Sequence, residues 1–317
     1  MSKLKGLLLT EGMHGMISQV EGLAKALDLD FIHEKIELNN FWKFLPPKLT
    51  PVKSFVFKNK MKENFNIVIS CGRKSVIPSL YLKNKYKSKI INIHIQDPKV
   101  SLNNFDFVVV PEHDKLTGSN VLTTKGAIHY LTKDQLVLSQ NYLKSKIDPK
   151  KKIVSFIIGG PNKYYSYSDK VVDSIFANVD KSFIQNNYQA IVIPSIRTPK
   201  KIIEKAQNYF DSSQIVIQNV DKKAYLSSLQ LADHIIVTCD STSMISEAAL
   251  TGKPIYVAQM PAIKKNNRFK DFFELFERLN IIKNLGTSVE DWNYQKLDET
   301  QRISSYIKDK IENHDFS

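Results

Sequence analysis

The stretch from Thr238 to Glu247 carries the residue types best suited to chemistry and reads Thr-Cys-Asp-Ser-Thr-Ser-Met-Ile-Ser-Glu. A buried strand precedes it and a helix pattern follows, so its small polar side chains fall where a helix begins. One such residue is enough to cap a helix, but polar residues fill four consecutive positions here. A helix start with free amides and several hydroxyl groups is typical of an anion site. We therefore predict that this turn binds a ligand through Asp240, Ser241, Ser243 and Met244.

Glu247 lies four residues after Ser243, so both side chains share one face of the predicted helix. One turn into that helix, the Glu247 carboxylate is placed to accept hydrogen bonds from a ribose diol. The alternative interpretation of this segment is structural, with Asp240 or Ser241 serving only as the helix cap.

Two further turns in the same half of the chain join a strand to a helix. In Gly159-Gly160-Pro161-Asn162, the glycines lack the Cβ atom that would keep a ligand from the backbone, and free amides there can face phosphate. In Ser195-Ile196-Arg197-Thr198-Pro199, Thr198 is a candidate cap, and Arg197 could neutralise a diphosphate through its forked donors. A tight turn and a surface arginine are the structural alternatives. The predicted ligand contacts of these turns are Gly159, Gly160, Asn162, Ser195, Arg197 and Thr198.

The first half of the chain offers candidates for a general base near predicted strand ends. Glu11-Gly12-Met13-His14-Gly15 follows the first strand and lacks the G-x-G-x-x-G fingerprint of dinucleotide sites. Pro111-Glu112-His113-Asp114 follows a later strand. The candidate catalytic residues are Glu11, His14, Glu112 and His113, although each alone is more often structural. No zinc spacing, P-loop, G-x-S-x-G or kinase set is present, so we expect no metal.

Short β-branched runs alternate with helix patterns along the whole chain. Such runs are typical of strands buried on both faces, and the alternation predicts parallel sheets with right-handed crossovers. The predicted strands are Leu7–Thr10, Ile67–Ser70, Ile90–Ile95, Phe107–Val110, Ile153–Ile158, Ala190–Ile193, Ile215–Ile217, Ile235–Thr238 and Ile255–Ala258. The predicted helices are Met16–Leu27, Val76–Tyr86, Lys133–Ser145, Asp169–Phe183, Pro199–Phe210, Lys222–Ala232, Met244–Thr251 and one near Arg302–Asn313.

The pattern restarts after a basic, polar joint at residues 148–152. We therefore expect an α/β protein with two Rossmann-like domains facing a cleft. The N-terminal, acceptor-side domain would cover residues 1–148. The C-terminal, ligand-binding domain would cover residues 149–317, with the last helix as a candidate to pack back on the first domain.

The bulk properties restrict the partners. The chain has 317 residues, 42% apolar and 24% charged, with a net charge of +13. Such a charge favours nucleic acid, an anionic membrane face or phosphorylated ligands, but the lysines lack the motifs of a nucleic-acid module, so we expect no nucleic-acid partner. Two distant cysteines and no long apolar run indicate a cytoplasmic protein, with peripheral attachment to the inner face of the membrane as a further expectation.

Taken jointly, many short strings resemble the mitochondrial fission "elongated mitochondria" (ELM) family. The strings are Glu11-Gly12, Gly15, Gln19, Gly22-Leu23-Ala24, Ala26-Leu27, Gly72-Arg73, Gln96-Asp97-Pro98, Asp106, Val109–Asp114, Gly126-Ala127, His129, Gly159–Asn162, Arg197–Pro199, Asp240-Ser241, Ser243-Met244, Ser246-Glu247 and Thr251–Pro254, with Arg268-Phe269 as a further echo. The family usually has Asp where Glu11 stands and often His where Met16 stands.

The resemblance implies a fold similar to GT-B glycosyltransferases, with the donor nucleotide in the second domain. The first hypothesis is therefore a metal-independent glycosyltransferase whose substrate, not cofactor, is a nucleoside-diphosphate sugar, and whose acceptor is membrane-associated or lipid-linked. The alternative is a non-catalytic, membrane-peripheral scaffold that recruits a protein partner. An NAD-dependent epimerase is disfavoured because the first loop lacks the fingerprint.

Overall fold

The computed structural model of the protein describes residues 3–264, 267–312 and 314. It contains two compact units. The first is built from the described residues up to Tyr130 and from Asp298 onward, and the second from those between Leu131 and Leu297. Each unit has one six-stranded sheet in which all neighbouring strands are parallel.

The strands and helices alternate along the chain. The strands are β1 (Lys5–Thr10), β2 (Asp30–Lys35), β3 (Ile67–Cys71), β4 (Ile91–Ile95), β5 (Phe107–Pro111), β6 (Val121–Thr124), β7 (Lys152–Ile158), β8 (Tyr188–Pro194), β9 (Ile215–Val216), β10 (His234–Thr238), β11 (Ile255–Ala258) and β12 (Ile282–Asn284). The helices are α1 (His14–Ala26), α2 (Val76–Tyr86), α3 (Lys133–Ser139), α4 (Asn141–Lys144), α5 (Asp169–Ser182), α6 (Lys200–Tyr209), α7 (Lys222–Leu231), α8 (Thr242–Ala249), α9 (Asn267–Arg278) and α10 (Glu299–Glu312).

Strand order creates one reversal point in each sheet. The first sheet has the order β2-β1-β3-β4-β5-β6, and the second has β12-β11-β10-β7-β8-β9. Read from β9, the second order is 3-2-1-4-5-6, that of dinucleotide-binding Rossmann folds. Ligands of open parallel sheets bind at the carboxyl ends of the strands where the order reverses. In the second unit this point lies between β7 and β10, and in the first between β1 and β3.

The first sheet is buried on both faces. On β1, Leu8 packs with residues of α1 and α10, whereas Leu7 and Leu9 face the other side, toward Val56 and Ile77. Side chains alternate across a strand, so a strand covered on both sides must be apolar throughout. The sequence pattern of these strands follows from that requirement.

The fold confirms the α/β class with two Rossmann-like units. Every predicted strand is present. The sequence pattern does not indicate β2, β6 or β12, which lie at or beside sheet edges, and it also misses α9. Strand β2 is partly exposed along most of its length, so its residues need not be apolar. The last helix ends at Glu312, and its predicted final residue, Asn313, lies outside the described residues.

The division of the chain differs from the expected one. Residues 131–148 belong to the second unit, because α3 and α4 pack on α7; Leu143 N, for example, donates to Ser227 Oγ at 3.1 Å. Helix α10 belongs to the first unit, where Ile303, Ile307 and Ile311 enter its core. The chain therefore crosses from one unit to the other twice.

Candidate functional site

The carboxyl ends of β7 and β10 are joined by a buried carboxylate. The Asp240 side chain has no exposed surface. Its Oδ1 accepts from the hydroxyl groups of Tyr167 (2.6 Å) and Thr238 (2.7 Å). Its Oδ2 accepts from Gly160 N (3.2 Å) and from Arg197 Nη2 (2.6 Å). A buried charge is tolerated only when paired and hydrogen-bonded, and four donors meet that need here.

Arg197 couples a second loop to this carboxylate. Besides Asp240, its guanidinium donates from Nη1 to Gly160 O at 2.9 Å. The side chain is 39% exposed, so part of the guanidinium faces solvent. The negative charge of Asp240 already offsets the positive charge of Arg197. To a ligand, Arg197 is therefore a hydrogen-bond donor in an ion pair with little net charge.

Gly159 and Gly160 leave the space that this hydrogen-bond network needs. A Cβ on Gly159 would lie 2.2 Å from the Asp240 oxygens, and one on Gly160 would lie 1.9 Å from Arg197 O. Their amides are occupied as well, since Gly159 N donates to Thr238 Oγ1 at 2.8 Å and Gly160 N to Asp240. This corrects the expectation that free amides of Gly159 and Gly160 face a phosphate, because protein atoms take both the space and the amide hydrogens.

Ser195 and Thr198 form a closed turn after β8. Thr198 Oγ1 lies 2.7 Å from each of the carbonyl oxygens of Ile158 and Gly159, and it accepts from Ser195 N at 2.8 Å. The N-cap of α6 is Pro199, with no side-chain capping bond. Thr198 is therefore not the cap expected from the sequence. It fastens the β8 loop to the end of β7.

Asn162 orders the loop after β7. Its Nδ2 donates to Asp240 O at 3.1 Å, and its Oδ1 accepts from Tyr164 N and Tyr165 N at 2.7 and 2.9 Å. With all these contacts internal, the side chain positions the loop against β10 and offers little to a ligand.

The start of α8 is the open part of the site. Ser241 is the N-cap, and its Oγ accepts from Met244 N at 3.3 Å. Ser243 and Met244 are partly exposed. Within the described part of the chain, no hydrogen bond engages Ser243 Oγ, which leaves this hydroxyl and the first amides of α8 to a ligand.

Glu247 lies one turn further along α8 and is partly exposed. Its Oε2 accepts from the hydroxyl group of Tyr225, on α7, at 2.6 Å. The protein atoms around its carboxyl group displace water and raise the pKa of Glu247 to about 7, while the Tyr225 hydrogen bond and the charge of Lys222 act in the opposite direction. This carboxyl group therefore titrates near neutral pH, as is common at functional sites.

The predicted catalytic residues at the first unit's reversal point are Glu11 and His14. Glu11 follows β1, where its Oε1 accepts from Lys74 N at 3.0 Å and its Oε2 lies 3.1 Å from Lys74 Nζ. His14 opens α1 and is exposed, with its ring 6.4 Å from that of Tyr130. Glu11 is thus committed to a local ion pair, whereas His14 faces solvent.

Glu112 and His113 lie elsewhere. They follow β5, three strands from β1 in the sheet order, a separation of about 14 Å. Glu112 is exposed, and the His113 side chain is 8% exposed, with Nε2 3.9 Å from Asp114 Oδ1. The structure therefore groups the four candidates into two pairs and does not bring them together.

Two tyrosines were not indicated by the sequence pattern. Tyr167 completes the Asp240 network, and burial together with the Asp240 charge raises its pKa well above the usual range. Tyr225 contacts Glu247 from a separate helix. Neither lies in a turn motif, and sequence spacing alone gave no signal for either.

No group of three or more His, Cys, Asp or Glu side chains among the described residues is arranged to hold a metal ion. No helix formed by those residues combines the length and apolar character needed to cross a membrane.

Solved structures share this architecture. The chain aligns with an MnaA–UDP co-structure from S. aureus (TM-score 0.51, 14% identity, covering 98% of this chain and 88% of the other). It also aligns with the Methanocaldococcus jannaschii UDP-GlcNAc 2-epimerase in complex with UDP-GlcNAc and UDP (TM-score 0.51, 13% identity, covering 96% of this chain and 99% of the other). A third match is the glycotransferase of kitacinnamycin (TM-score 0.52, 10% identity, covering 97% of this chain and 91% of the other). These similarities define a protein of the GT-B-like fold class.

The sequence profile described as "Mitochondrial fission ELM1" matches residues 14–311, so the chain belongs to this family, and the resemblance read from the motifs is confirmed. Among curated relatives, RP120, an uncharacterized protein of Rickettsia prowazekii (strain Madrid E), is 25% identical over 77% of this chain and 79% of its own length. The Arabidopsis thaliana mitochondrial fission protein ELM1 is 24% identical over 77% of this chain and 64% of its own length.

Replacing Asp240 with Asn should lower the free energy of unfolding by about 3 kcal/mol, because the amide cannot accept from all four donors and leaves the Arg197 cation unpaired. Arg197→Ala should also cost about 3 kcal/mol, because it leaves the fully buried Asp240 charge without its cation. Urea unfolding measures both.

The matched control is Asp173→Asn. Asp173 pairs with Lys205 at 2.7 Å but is 53% exposed, so this change should stay within about 0.5 kcal/mol. Equal unfolding midpoints for Asp240→Asn and the wild type would contradict the assigned importance of the network.

Proposed function

We propose that this protein is a GT-B-type glycosyltransferase that binds a nucleoside-diphosphate sugar at the start of α8. The observation that carries the proposal is the position of that helix start. It follows β10 at the reversal point of a sheet with the Rossmann strand order, and it presents the Ser243 hydroxyl, free amides and Glu247 on one side. Helix starts at such points hold phosphates in other α/β proteins.

Each group has a defined part in donor binding. The diphosphate would accept from the α8 amides and from Ser243 Oγ, with Arg197 as a further donor through the exposed part of its guanidinium. The Glu247 carboxylate would accept from the ribose hydroxyl groups. These contacts need no bound metal, because the same donors stabilise the negative charge that develops on the leaving diphosphate.

The transfer step needs a base for the acceptor hydroxyl group, and we assign it to His14. The base takes the hydroxyl proton while the acceptor oxygen forms a bond to the anomeric carbon. The bond from that carbon to the diphosphate oxygen breaks, and the nucleoside diphosphate leaves. Glu11 is the less suitable base because Lys74 holds both of its carboxylate oxygens. The acceptor is proposed to be lipid-linked, in keeping with the basic surface.

Uridine nucleotides are the first probes to use, because structures of similar fold contain UDP and UDP-GlcNAc. Isothermal titration should detect binding of UDP to the wild-type protein. Ser243→Ala should raise the dissociation constant for UDP about tenfold, because one charge-assisted hydrogen bond is lost. Ser145→Ala, an exposed serine of the same unit, is the control and should bind like the wild type.

No heat with UDP or with other nucleoside diphosphates would argue against donor binding. If Ser243→Ala bound as tightly as the Ser145→Ala control, the ligand would lie elsewhere.

Nucleotide affinity should rise as the pH increases through about 7, the pKa to which burial brings Glu247. Above this pH the carboxylate is ionised and accepts from the ribose, whereas below it the added proton removes an acceptor position. Binding should therefore release a proton, which titrations near neutral pH in buffers of different ionisation enthalpy can measure. Glu247→Gln should abolish this proton release. The same release from the variant would contradict the role of Glu247.

His14→Gln should reduce turnover by about 10²- to 10⁴-fold, the usual contribution of a general base, while the affinity for UDP stays unchanged. Release of UDP from UDP-GlcNAc in the presence of membrane extract measures turnover, and titration measures affinity. Loss of activity in Glu112→Gln but not in His14→Gln would move the base to the β5 loop. Product formed from UDP-GlcNAc without any acceptor would indicate epimerisation instead of transfer.

A further inference from the structure

Residues 41–55 present a cluster of large apolar side chains to solvent. Phe41, Phe44, Leu49 and Phe55 are 66%, 76%, 65% and 58% exposed. Scattered exposed apolar residues are normal on a protein surface, but several in one short segment indicate an interaction surface. We call residues 41–55 the aromatic segment.

The charge of the aromatic segment has one sign. Lys43, Lys48 and Lys53 alternate with the apolar side chains, and the segment contains no Asp or Glu. All three lysines are exposed, and none of them forms an ion pair within the described ranges. Lys43 Nζ lies 5.0 Å from the centre of the Phe44 ring, so cationic and aromatic groups occupy the same patch.

The segment is held firmly from beneath. Trp42 is partly buried against the core, with its ring centre 4.9 Å from that of Phe41 and 5.9 Å from that of Phe55. Leu38 and Phe57 form an antiparallel bridge at the base of the segment. Three prolines, at positions 46, 47 and 51, restrict the backbone further. The apolar side chains are therefore exposed by a fixed backbone, and docking costs little ordering entropy.

Arg73 connects the segment to the first unit's reversal point. Its Nη1 donates to Leu45 O at 2.9 Å and its Nη2 to Lys43 O at 2.6 Å. Arg73 follows β3, the strand that pairs with β1. The aromatic segment thus lies near the carboxyl ends of β1 and β3, the side of the sheet on which Glu11 and His14 follow β1.

We propose that the aromatic segment docks the protein onto an anionic lipid bilayer. Phenylalanine side chains would enter the boundary between headgroups and acyl chains, and the lysines would contact anionic headgroups. A second copy of this chain is the poorer occupant, because two lysine-rich surfaces without acidic residues repel each other. Docking is independent of the proposed transfer reaction; where that reaction also holds, docking brings a lipid-linked acceptor to the side of the unit that carries His14.

Co-sedimentation with vesicles tests the proposal without any nucleotide present. The wild-type protein should bind vesicles of phosphatidylcholine mixed with phosphatidylglycerol and should bind pure phosphatidylcholine much more weakly. The double variant Phe41→Ser/Phe44→Ser should lower the partition coefficient at least tenfold. Its control is Val137→Ser/Leu138→Ser, which removes two apolar side chains that are 51% and 81% exposed on α3 and should change nothing.

Charge is tested separately. Replacing Lys43, Lys48 and Lys53 with Gln should weaken binding to the anionic vesicles by roughly a hundredfold, at about fivefold per lysine. The control replaces the exposed lysines Lys144, Lys170 and Lys181 with Gln, giving the same net charge. A loss of equal size in both triple variants would reduce the effect to net charge and overturn the assignment.

Depth is measured with Trp42, since the protein has only two tryptophans. In a Trp292→Phe background, brominated phosphatidylcholine in the anionic vesicles should quench Trp42 fluorescence, and Phe41→Ser/Phe44→Ser should remove the quenching. No binding to anionic vesicles, or binding without quenching, would overturn the proposal. So would sedimentation showing that the two phenylalanines hold a dimer together. Failure of the UDP titration would leave this result intact.

Discussion

A charge without access to water dictates the shape of the second unit's strand ends. The carboxylate of Asp240 is fully buried, and a charge without water needs donors from the protein around it. Those donors come from the loop after β7, from β10 and from the loop after β8. The three neighbouring strand ends therefore cannot move independently. The glycines at positions 159 and 160 follow from the same constraint, because any side chain there would displace the carboxylate or the Arg197 backbone.

This rigidity divides the site into two parts with different freedom. Thr198 and Arg197 fasten the loop after β8 to the end of β7, and Asn162 fastens the loop after β7 to the segment after β10, so these loops form a fixed floor. The start of α8 has its hydroxyl groups and amides still available. A preorganised floor beside an open helix start favours anion recognition, because binding requires little reorganisation of the protein.

The sequence indicates the buried parts of the fold well and the polar interior poorly. Strands such as β3 and β10 are buried along their entire length, and the apolar runs Ile67–Ile69 and Ile235–Val237 within them are visible in the residues alone. Strand β2 is mostly exposed, and its sequence has no such apolar run. The position of α8 follows from its hydroxyl-rich start. That Tyr167 and Tyr225 contact Asp240 and Glu247 does not follow, because those partners lie 73 and 22 residues apart and meet only in the folded chain. The same applies to the burial that shifts the pKa of Glu247.

Helix α10 has a consequence for how the molecule is made. Its isoleucines complete the core beneath β1 and α1, yet all of the second unit precedes it in the chain. During synthesis the N-terminal sheet emerges first, and its face toward α1 lacks α10 while 167 residues of the other unit are translated. The first unit can therefore be completed only after the second unit has been synthesised. A partly exposed apolar sheet face is where chaperones bind and nascent chains aggregate, so the order of elements makes the N-terminal half the more vulnerable one.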